Sequence, residues 1–491
     1  MFSDSKKNLF CRLACLVLAG LMTVACFTAC GAGDDIAETT AETDAQSGAA
    51  EETEAETVDE VAEAYRELGK VDWNGDAFTI LYFQDFEKEI IGGGASGDVL
   101  SDAVYERNTL FEENCNLNLG TVKVDRNTSM TKVQAEVQSN SGDFHVCSVS
   151  MDQTANLATS NFLYNWLDMD IDLDKPWWDK GTAQFNLRDH IFFMNGSCNY
   201  ADDEQTWVMI FNKDAFKKLD REEPYDVVTQ NKWTLSYFET LIQDFSSDNG
   251  DTVWDEKDTY GFVATPGYST SFFFGADMKY IVMDDEGDPA FNLVGGQLDK
   301  ASDLVEQVQR IYHENNTTFS ASDYAESAGI FKEGRGLFYG ETAAWVVNLN
   351  KQMDGEFGVL PLPKYDDKQA NYTTYVNYWA NTFSVPKTIR KPDVIGDVLT
   401  YYSLLSHELV HPKYYDVVLT TKSAQDPQSI EMLDIVFANR VYDMATYFTK
   451  FEMSGIFSSV VSSNGDDFSS KVQSIKKSFN RKVSEIFKEI D

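Results

Sequence analysis

Short apolar runs alternate with helical faces at the start of the folded part of the chain. Ala77–Phe83 is almost continuously apolar, which is typical of a strand covered on both faces. A helical face follows, then a second strand at 121–124, a further helix and a third strand at 144–149. The runs 336–339 and 343–347 predict two more strands. This order of strand and helix predicts parallel pairing with right-handed crossovers, and therefore an α/β fold.

Size and charge narrow the class of protein further. The chain has 491 residues, with 40 basic and 80 acidic side chains and a formal net charge of -40. About 425 residues follow residue 66, and at about 150 residues per domain they predict two or three lobes. The acidic surface argues against nucleic acid or anionic lipid as a partner.

The N-terminal segment indicates export. A basic start is followed by an apolar run of seventeen residues at 13–29, too short for a typical membrane span and placed where a secretory signal lies. The run ends in Ala-Cys-Gly, which resembles the lipobox of bacterial lipoproteins. We therefore predict a lipoprotein signal peptide at 1–30 with lipidation at Cys30, Cys26 being the weaker alternative. A lipid anchor would hold the protein on the extracellular face of the cell membrane.

Residues 31–66 predict a disordered acidic tether. They consist mainly of Ala, Glu, Thr and Asp, and the first aromatic residue is Tyr65. Such a segment buries too little apolar surface to offset its loss of conformational entropy, and repulsion between its charges extends it.

The cysteines beyond the signal peptide do not form a recognisable framework. Seven cysteines occur, four of them within 1–30, and the other three are Cys115, Cys147 and Cys198. Their odd number and the lack of a CxxC spacing argue against a disulfide scaffold or a zinc site. We expect all three to be small buried apolar residues.

Several strings, in order, resemble the family 1 extracellular solute-binding proteins of Gram-positive ABC importers. After the lipobox at Cys30, they are Asp-Lys-Pro-Trp-Trp-Asp at 174–179, the strand ending at 211–213, Pro-Tyr at 224–225, Lys-Trp-Thr at 232–234, 331–339, and 357–365 with Gln369 and Tyr372. The resemblance implies a type II periplasmic-binding-protein fold, in which two α/β lobes surround a hinged ligand cleft.

The resemblance also implies the course of the chain between the lobes. Lobe one is expected to contain 75–208 plus 345–383, and lobe two 212–340 plus 387–491. The crossings are expected near 207–213, 340–346 and 382–388, at the floor of the cleft.

The candidate ligand contacts are aromatic residues near these crossings, in the aromatic-rich stretch 268–274 of lobe two and in the string at 174–179. A sugar offers an apolar C–H face on which rings stack, and hydroxyl groups that carboxylates and amides bind. Tyr200 and Trp207 flank an acidic stretch before the first crossing, and Trp345 lies at the return crossing. The full candidate set is Tyr200, Trp207, Tyr268, Phe273, Trp345, Trp379 and Trp178. For each of them, packing inside a lobe is the alternative role.

No motif indicates catalysis, a metal or a cofactor. His407 and His411 are four residues apart, but the HExxH motif of zinc proteases is missing. No G-x-S-x-G elbow occurs, and in so acidic a chain carboxylate pairs cannot identify a glycosidase. The alternating aspartates at 168–174 lack the glycine and the glutamate of an EF-hand. We therefore expect a protein that is not an enzyme and that uses no cofactor.

Together with the lipobox and the tether, the resemblance implies a monomeric solute-binding lipoprotein. It would capture a sugar or oligosaccharide by hinge closure and deliver it to the transmembrane subunits of an ABC permease. Two alternatives remain open: the same role with a peptide or another polar nutrient, and a surface glycan-degrading enzyme.

Overall fold

The computed structural model describes residues 71–94, 97–419 and 427–490. The predicted signal peptide with Cys30 and the predicted tether at 31–66 lie outside the described residues. Within the described part, no helix is both long enough and apolar enough to cross a bilayer.

Fourteen strands occur within these ranges. In chain order they are β1 (Ala77–Phe83), β2 (Asn118–Val124), β3 (Val146–Ser150), β4 (Phe193–Met194), β5 (Trp207–Asn212), β6 (Tyr260–Ala264), β7 (Ile281–Met283), β8 (Pro289–Phe291), β9 (Thr318–Ser320), β10 (Gly336–Thr342), β11 (Phe357–Leu360), β12 (Thr374–Tyr375), β13 (Asn381–Ser384) and β14 (Arg440–Val441).

The α-helices of the described ranges lie mostly between these strands. They are α1 (Glu87–Ile90), α2 (Val99–Cys115), α3 (Arg126–Ser139), α4 (Met151–Ala158), α5 (Ala201–Glu204), α6 (Lys213–Lys218), α7 (Tyr225–Thr229), α8 (Leu235–Gln243), α9 (Ser269–Gly275), α10 (Gly296–His313), α11 (Tyr324–Lys332), α12 (Ala344–Gln352), α13 (Pro392–Leu409), α14 (His411–Leu419), α15 (Pro427–Ala438), α16 (Met444–Tyr447), α17 (Ile456–Ser463) and α18 (Phe468–Ile490).

The first lobe is built on a five-stranded sheet with the order β2-β1-β3-β13-β4. Strands β2 and β3 run parallel to β1, whereas β13 is antiparallel to both β3 and β4. Ile80 of β1 packs in one core with Phe111 of α2, and its neighbour Leu81 packs in another core with Val133 of α3. Because helices cover both faces, β1 is apolar almost throughout, as the sequence predicted.

The second lobe repeats this plan with the order β11-β5-β10-β6-β9. Strands β9 and β10 run parallel to β6, while β5 is antiparallel to β10 and β11. The Phe338 ring meets the Phe238 ring of α8 on one face of the sheet at 5.1 Å, and on the other face Tyr339 stacks on Phe331 of α11 at 5.3 Å. The predicted α/β fold with two lobes is therefore confirmed.

The structure corrects the sequence prediction for 343–347, which is not a strand. Strand β10 ends at Thr342, and helix α12 begins at Ala344. Val346 and Leu349 form the buried face of this helix. A short apolar run has the same appearance in a buried strand and in the first turn of a buried helix, so periodicity did not separate the two.

Two segments lie in the other lobe from the one expected. The expected first-lobe segment 345–383 includes β11, but β11 pairs with β5 in the second sheet. The expected second-lobe segment 387–491 includes α13, but α13 packs on α2, and the Tyr402 and Phe111 rings lie 5.2 Å apart. Helix α13 is the next helix after β13, which belongs to the first sheet, and it packs on that sheet together with α2.

Residues after 440 contact both lobes. Strand β14 pairs with β12 next to the crossing segments. The Thr449 hydroxyl donates to Asn156 of α4 at 2.7 Å, and Gln309 of α10 donates to the carbonyl of Gly465 at 2.7 Å. This C-terminal segment therefore supports the region where the two sheets are joined.

The three cysteines Cys115, Cys147 and Cys198 are free and buried, which confirms the prediction.

Candidate functional site

Two crossing segments join the lobes, and each meets its sheet at the edge where the parallel strands end. The first segment enters β5 through Thr206, and the second enters β13 through 376–380. They pair with each other, since Thr206 bridges Val376 and the Asn377 amide donates to the Gln205 carbonyl at 2.8 Å. Strands β5 and β13 are antiparallel to their neighbours, so both segments meet the sheets where the parallel strands end. Ligand sites of open α/β sheets lie at such carboxyl ends.

On the first lobe, this edge carries a tryptophan stacked on an arginine. The Arg126 guanidinium carbon lies 4.1 Å from the Trp379 ring centroid. Nη2 of Arg126 donates to Oδ2 of Asp152 at 2.6 Å, and the two side chains are 22% and 16% exposed. Phe83 meets the Trp379 ring edge-on at 5.8 Å. Arg126 therefore covers one face of the half-buried indole.

Local structure fixes each member of this group. The Asp125 side chain caps α3 by accepting from the Asn127 amide at 2.8 Å, which starts the helix at Arg126. Asp152 lies in the first turn of α4, after β3, and its Oδ1 accepts from Ser150 at 2.7 Å. The Met151 amide donates to the Ala380 carbonyl at 2.8 Å, which joins the end of β3 to the residue next to Trp379.

The second lobe contributes exposed and half-buried rings at its matching edge. Tyr324 is 49% exposed at the start of α11, whose N-cap is Asp323. Tyr378, next to Trp379 on the crossing segment, is 41% exposed and interacts electrostatically with Tyr324. Trp345 is half-buried in α12 and meets Tyr339 edge-on at 6.1 Å. Exposed rings therefore lie on the second lobe and on the crossing segment.

A buried carboxyl group ends β10 at this edge. Glu341 is 2% exposed, and its Oε2 accepts from the Thr342 amide at 2.7 Å. Burial raises the pKa of Glu341 to about 8, because an ionised carboxylate loses its hydration there. Glu341 therefore carries its proton at neutral pH, unlike an ordinary glutamate.

The other predicted ligand contacts are packed more deeply. Trp207 is 4% exposed and stacks on Tyr375 of β12 at 5.9 Å. Four further rings are fully buried against other side chains of the chain. They are Tyr200, stacked on Tyr414; Trp178, edge-on to Trp166; Tyr268, whose hydroxyl donates to the Val208 carbonyl; and Phe273, stacked on Tyr280 at 4.2 Å. In this conformation these four rings contribute to the cores, and ligand contact by them stays a prediction.

Sequence reasoning missed Arg126, Asp152, Tyr324 and Glu341. Arg126 and Asp152 each follow the end of a predicted strand of a parallel sheet, and this position was the available signal for both. Tyr324 follows β9 in the same way. Glu341 had no such signal, because one glutamate among 80 acidic residues is not distinctive.

Buried ion pairs connect the two crossing segments. Arg440 of β14 binds Asp203 at 2.6 Å, Asp179 at 3.0 Å and Asp202 at 3.6 Å. Burial raises the pKa of Asp202 to about 7 and that of Asp203 to about 6. Because these aspartates lie in α5, just before the first crossing, Arg440 connects both crossings through β12 and α5.

A separate depression lies at the opposite end of the first sheet. Its volume is about 250 Å³, and Trp73, His145 and Lys391 are among its lining residues. Nδ1 of His145 accepts from the Thr79 amide at 3.0 Å, and the ring stacks on Phe78. This depression is at the amino ends of the parallel strands, away from the crossings. In the described ranges, no group of three or more His, Cys, Asp or Glu side chains is arranged to hold a metal ion.

Solved structures share the two-lobed fold with this chain at low sequence identity. A cyclo/maltodextrin-binding protein complexed with maltotetraose gives a TM-score of 0.55 at 13% identity, covering 85% of this chain and 98% of that chain. The maltose-binding periplasmic protein MalE from Listeria monocytogenes, in complex with maltose, gives 0.53 at 15% identity, covering 84% and 97%. An ABC substrate-binding protein from Listeria monocytogenes, in complex with cycloalternan, gives 0.51 at 14% identity, covering 84% and 99%.

Family membership rests on a sequence profile. No curated protein sequence matches the chain. The profile described as "Bacterial extracellular solute-binding protein" matches residues 109–396, which is more than half of the chain. This range contains most strands of both sheets and the crossing segments with Trp379. The chain belongs to the family of bacterial extracellular solute-binding proteins.

Proposed function

We propose that the protein is the solute-binding component of an ABC importer and captures a sugar or oligosaccharide between its two lobes. The observation that carries this proposal is the group at the edge of the first sheet, where the half-buried Trp379 ring is held on Arg126 beside Asp152. The exposed rings of Tyr324 and Tyr378 lie nearby on the second lobe and the crossing segment.

The chemistry of this edge suits a carbohydrate. An indole with one open face stacks on the C–H face of a pyranose ring. Arg126 and Asp152 are partly exposed and form a hydrogen-bonded pair beside the indole, so their free lone pairs and N–H groups are available to sugar hydroxyls. The pairing also neutralises both charges, which favours an uncharged ligand.

The comparisons support the same ligand class. The similar structures were solved with maltotetraose, maltose and cycloalternan. Their identity to this chain is too low to transfer an individual contact, so the proposed contacts rest on this structure. They are Trp379, Trp345 and Trp207 among the rings named from sequence, together with Arg126, Asp152, Tyr324 and Tyr378.

The location and the partners are part of the proposal. Lipidation at Cys30 would anchor the protein to the extracellular face of the cell membrane, and the acidic segment 31–66 would hold the lobes away from it. The protein would act as a monomer that closes on its ligand by hinge bending and presents both lobes to the permease.

Isothermal titration calorimetry with a ligand panel tests this proposal. The glycans are maltose, maltotetraose, raffinose and cycloalternan, with a tripeptide and ribitol as the comparison arms. We expect saturable binding of at least one glycan and recovery of that glycan intact. If only the peptide or the polyol binds, the proposed ligand class is wrong. If the glycan is hydrolysed, the protein is an enzyme and the proposed binding role is wrong.

A further inference from the structure

Glu341 occupies a chemically unusual position at the cleft edge. It is the penultimate residue of β10, and two residues later the Ala343 amide donates to the carbonyl of Thr206 on the first crossing segment at 2.8 Å. The carboxyl group is therefore placed where the second sheet meets the floor of the cleft, although the side chain is only 2% exposed.

Only one of its two oxygens is used within the described chain. Oε2 accepts from the Thr342 amide at 2.7 Å, but Oε1 is shielded from solvent and has no hydrogen-bond partner among the described residues. A buried polar atom without a partner is destabilising. Such an atom is expected where a further group completes the hydrogen bond.

The surroundings of Glu341 keep it uncharged. Among the described residues, its electrostatic neighbours are the phenols of Tyr268, Tyr324 and Tyr339, none of which carries a positive charge. Because burial outweighs the hydrogen bonds from Thr342, it raises the pKa of Glu341 to about 8. An uncharged carboxyl group both donates and accepts hydrogen bonds, which matches the two roles of a sugar hydroxyl.

We propose that Glu341, as an uncharged carboxyl group, is a hydrogen-bond partner of the bound carbohydrate and that loss of its proton weakens binding. Tyr324 is the half-exposed phenol of the three and lies at the cleft edge beside Tyr378. The proposal therefore includes a local opening at the cleft edge that exposes Oε1 to a ligand hydroxyl. It rests on the proposed function, because it assigns a residue to the same cleft.

The test is a pH series of calorimetric titrations with maltotetraose, or with the panel glycan that binds most tightly. A group with a pKa of about 8 is about nine-tenths protonated at pH 7 and about one-tenth protonated at pH 9, so affinity is expected to fall about tenfold. Glu341→Gln keeps the size and remains uncharged, and its affinity is expected to stay constant over the same range. Glu306→Gln, on the exposed side of α10, is the matched control and should follow the wild type.

The variant comparison is essential because Asp202 at the hinge titrates close to this range. If Glu341→Gln shows the same pH dependence as the wild type, or if the affinity of the wild type rises with pH, the inference is wrong while the proposed function stands. If no panel glycan binds, the proposed function and the ligand contact both fail.

A second measurement tests the uncharged carboxyl without any ligand. The raised pKa predicts that the free energy of unfolding of the wild type, relative to Glu341→Gln, decreases as pH rises from 5 to 8. A difference that does not change with pH would overturn the uncharged state on which the inference depends.

Discussion

Replacing Trp379 with alanine removes the ring that we place against the ligand. Arg126 covers one face of the indole at 4.1 Å, so at most the other face is available for stacking. Half of an aromatic surface of about 200 Å², at about 25 cal/mol per Å², gives about 2.5 kcal/mol as an upper value. This corresponds to a loss of about sixtyfold in affinity, and immobilisation costs reduce the expected loss to about ten- to sixtyfold.

Calorimetry with the tightest panel glycan measures this loss, and two controls separate stacking from folding. Trp379→Phe keeps a ring on Arg126 and should retain most of the affinity. Thermal unfolding of both variants reports any damage to the first lobe. If Trp379→Ala folds and binds within twofold of the wild type, Trp379 is not a ligand contact and the proposed stacking is refuted.

Further predictions concern the parts that hold the cleft together. Arg440→Met should lower the free energy of unfolding by about 3–5 kcal/mol, because it leaves buried carboxylates unpaired; denaturant titration measures this, and a loss below 1 kcal/mol would contradict it. Burial raises the pKa of Asp202 to about 7, above the unfolded value of about 3.9. The stability of the wild type relative to Asp202→Asn should therefore be greatest below pH 4 and fall as pH rises to 7. Parallel melting curves of the two proteins at several pH values test the direction of this change. Gly261→Ala places a Cβ 2.1 Å from a backbone oxygen of α8 and should destabilise by about 1–3 kcal/mol or more, whereas Gly267→Ala meets nothing within 4 Å and should be neutral. Burial raises the pKa of all three folded-part thiols, so a thiol reagent should label them only after denaturation, as read by mass spectrometry of the peptides containing Cys115, Cys147 and Cys198.

Sequence patterns predicted the parts of the fold that depend on local burial. The run Ala77–Phe83 is a strand with the predicted bounds. In an alternating order of strands and helices, a short run that is apolar on both faces predicts a strand covered by helices on both sides. The strand predicted at 343–347 was wrong, because five consecutive apolar residues are compatible with a buried strand and with a buried helical turn. The lobe predicted for β11 was also wrong, because a local sequence pattern does not show which distant strand a strand pairs with.

The candidate site was less predictable than the fold, for a physical reason. Trp379 and Phe273 are both aromatic residues near turns, yet one lies half-buried on Arg126 and the other is sealed against Tyr280. Whether a ring faces a cleft or a core depends on what packs on it from other parts of the chain. The same holds for Glu341, whose raised pKa comes from burial that its neighbours in sequence do not reveal.

A crystal structure of the protein with the tightest-binding panel glycan tests the central claim most directly. We predict glycan density between the two lobes, with one sugar ring against the face of Trp379 opposite Arg126, at the carboxyl ends of the parallel strands. Density seated instead against Trp73 and His145, at the opposite end of the first sheet, would contradict the account.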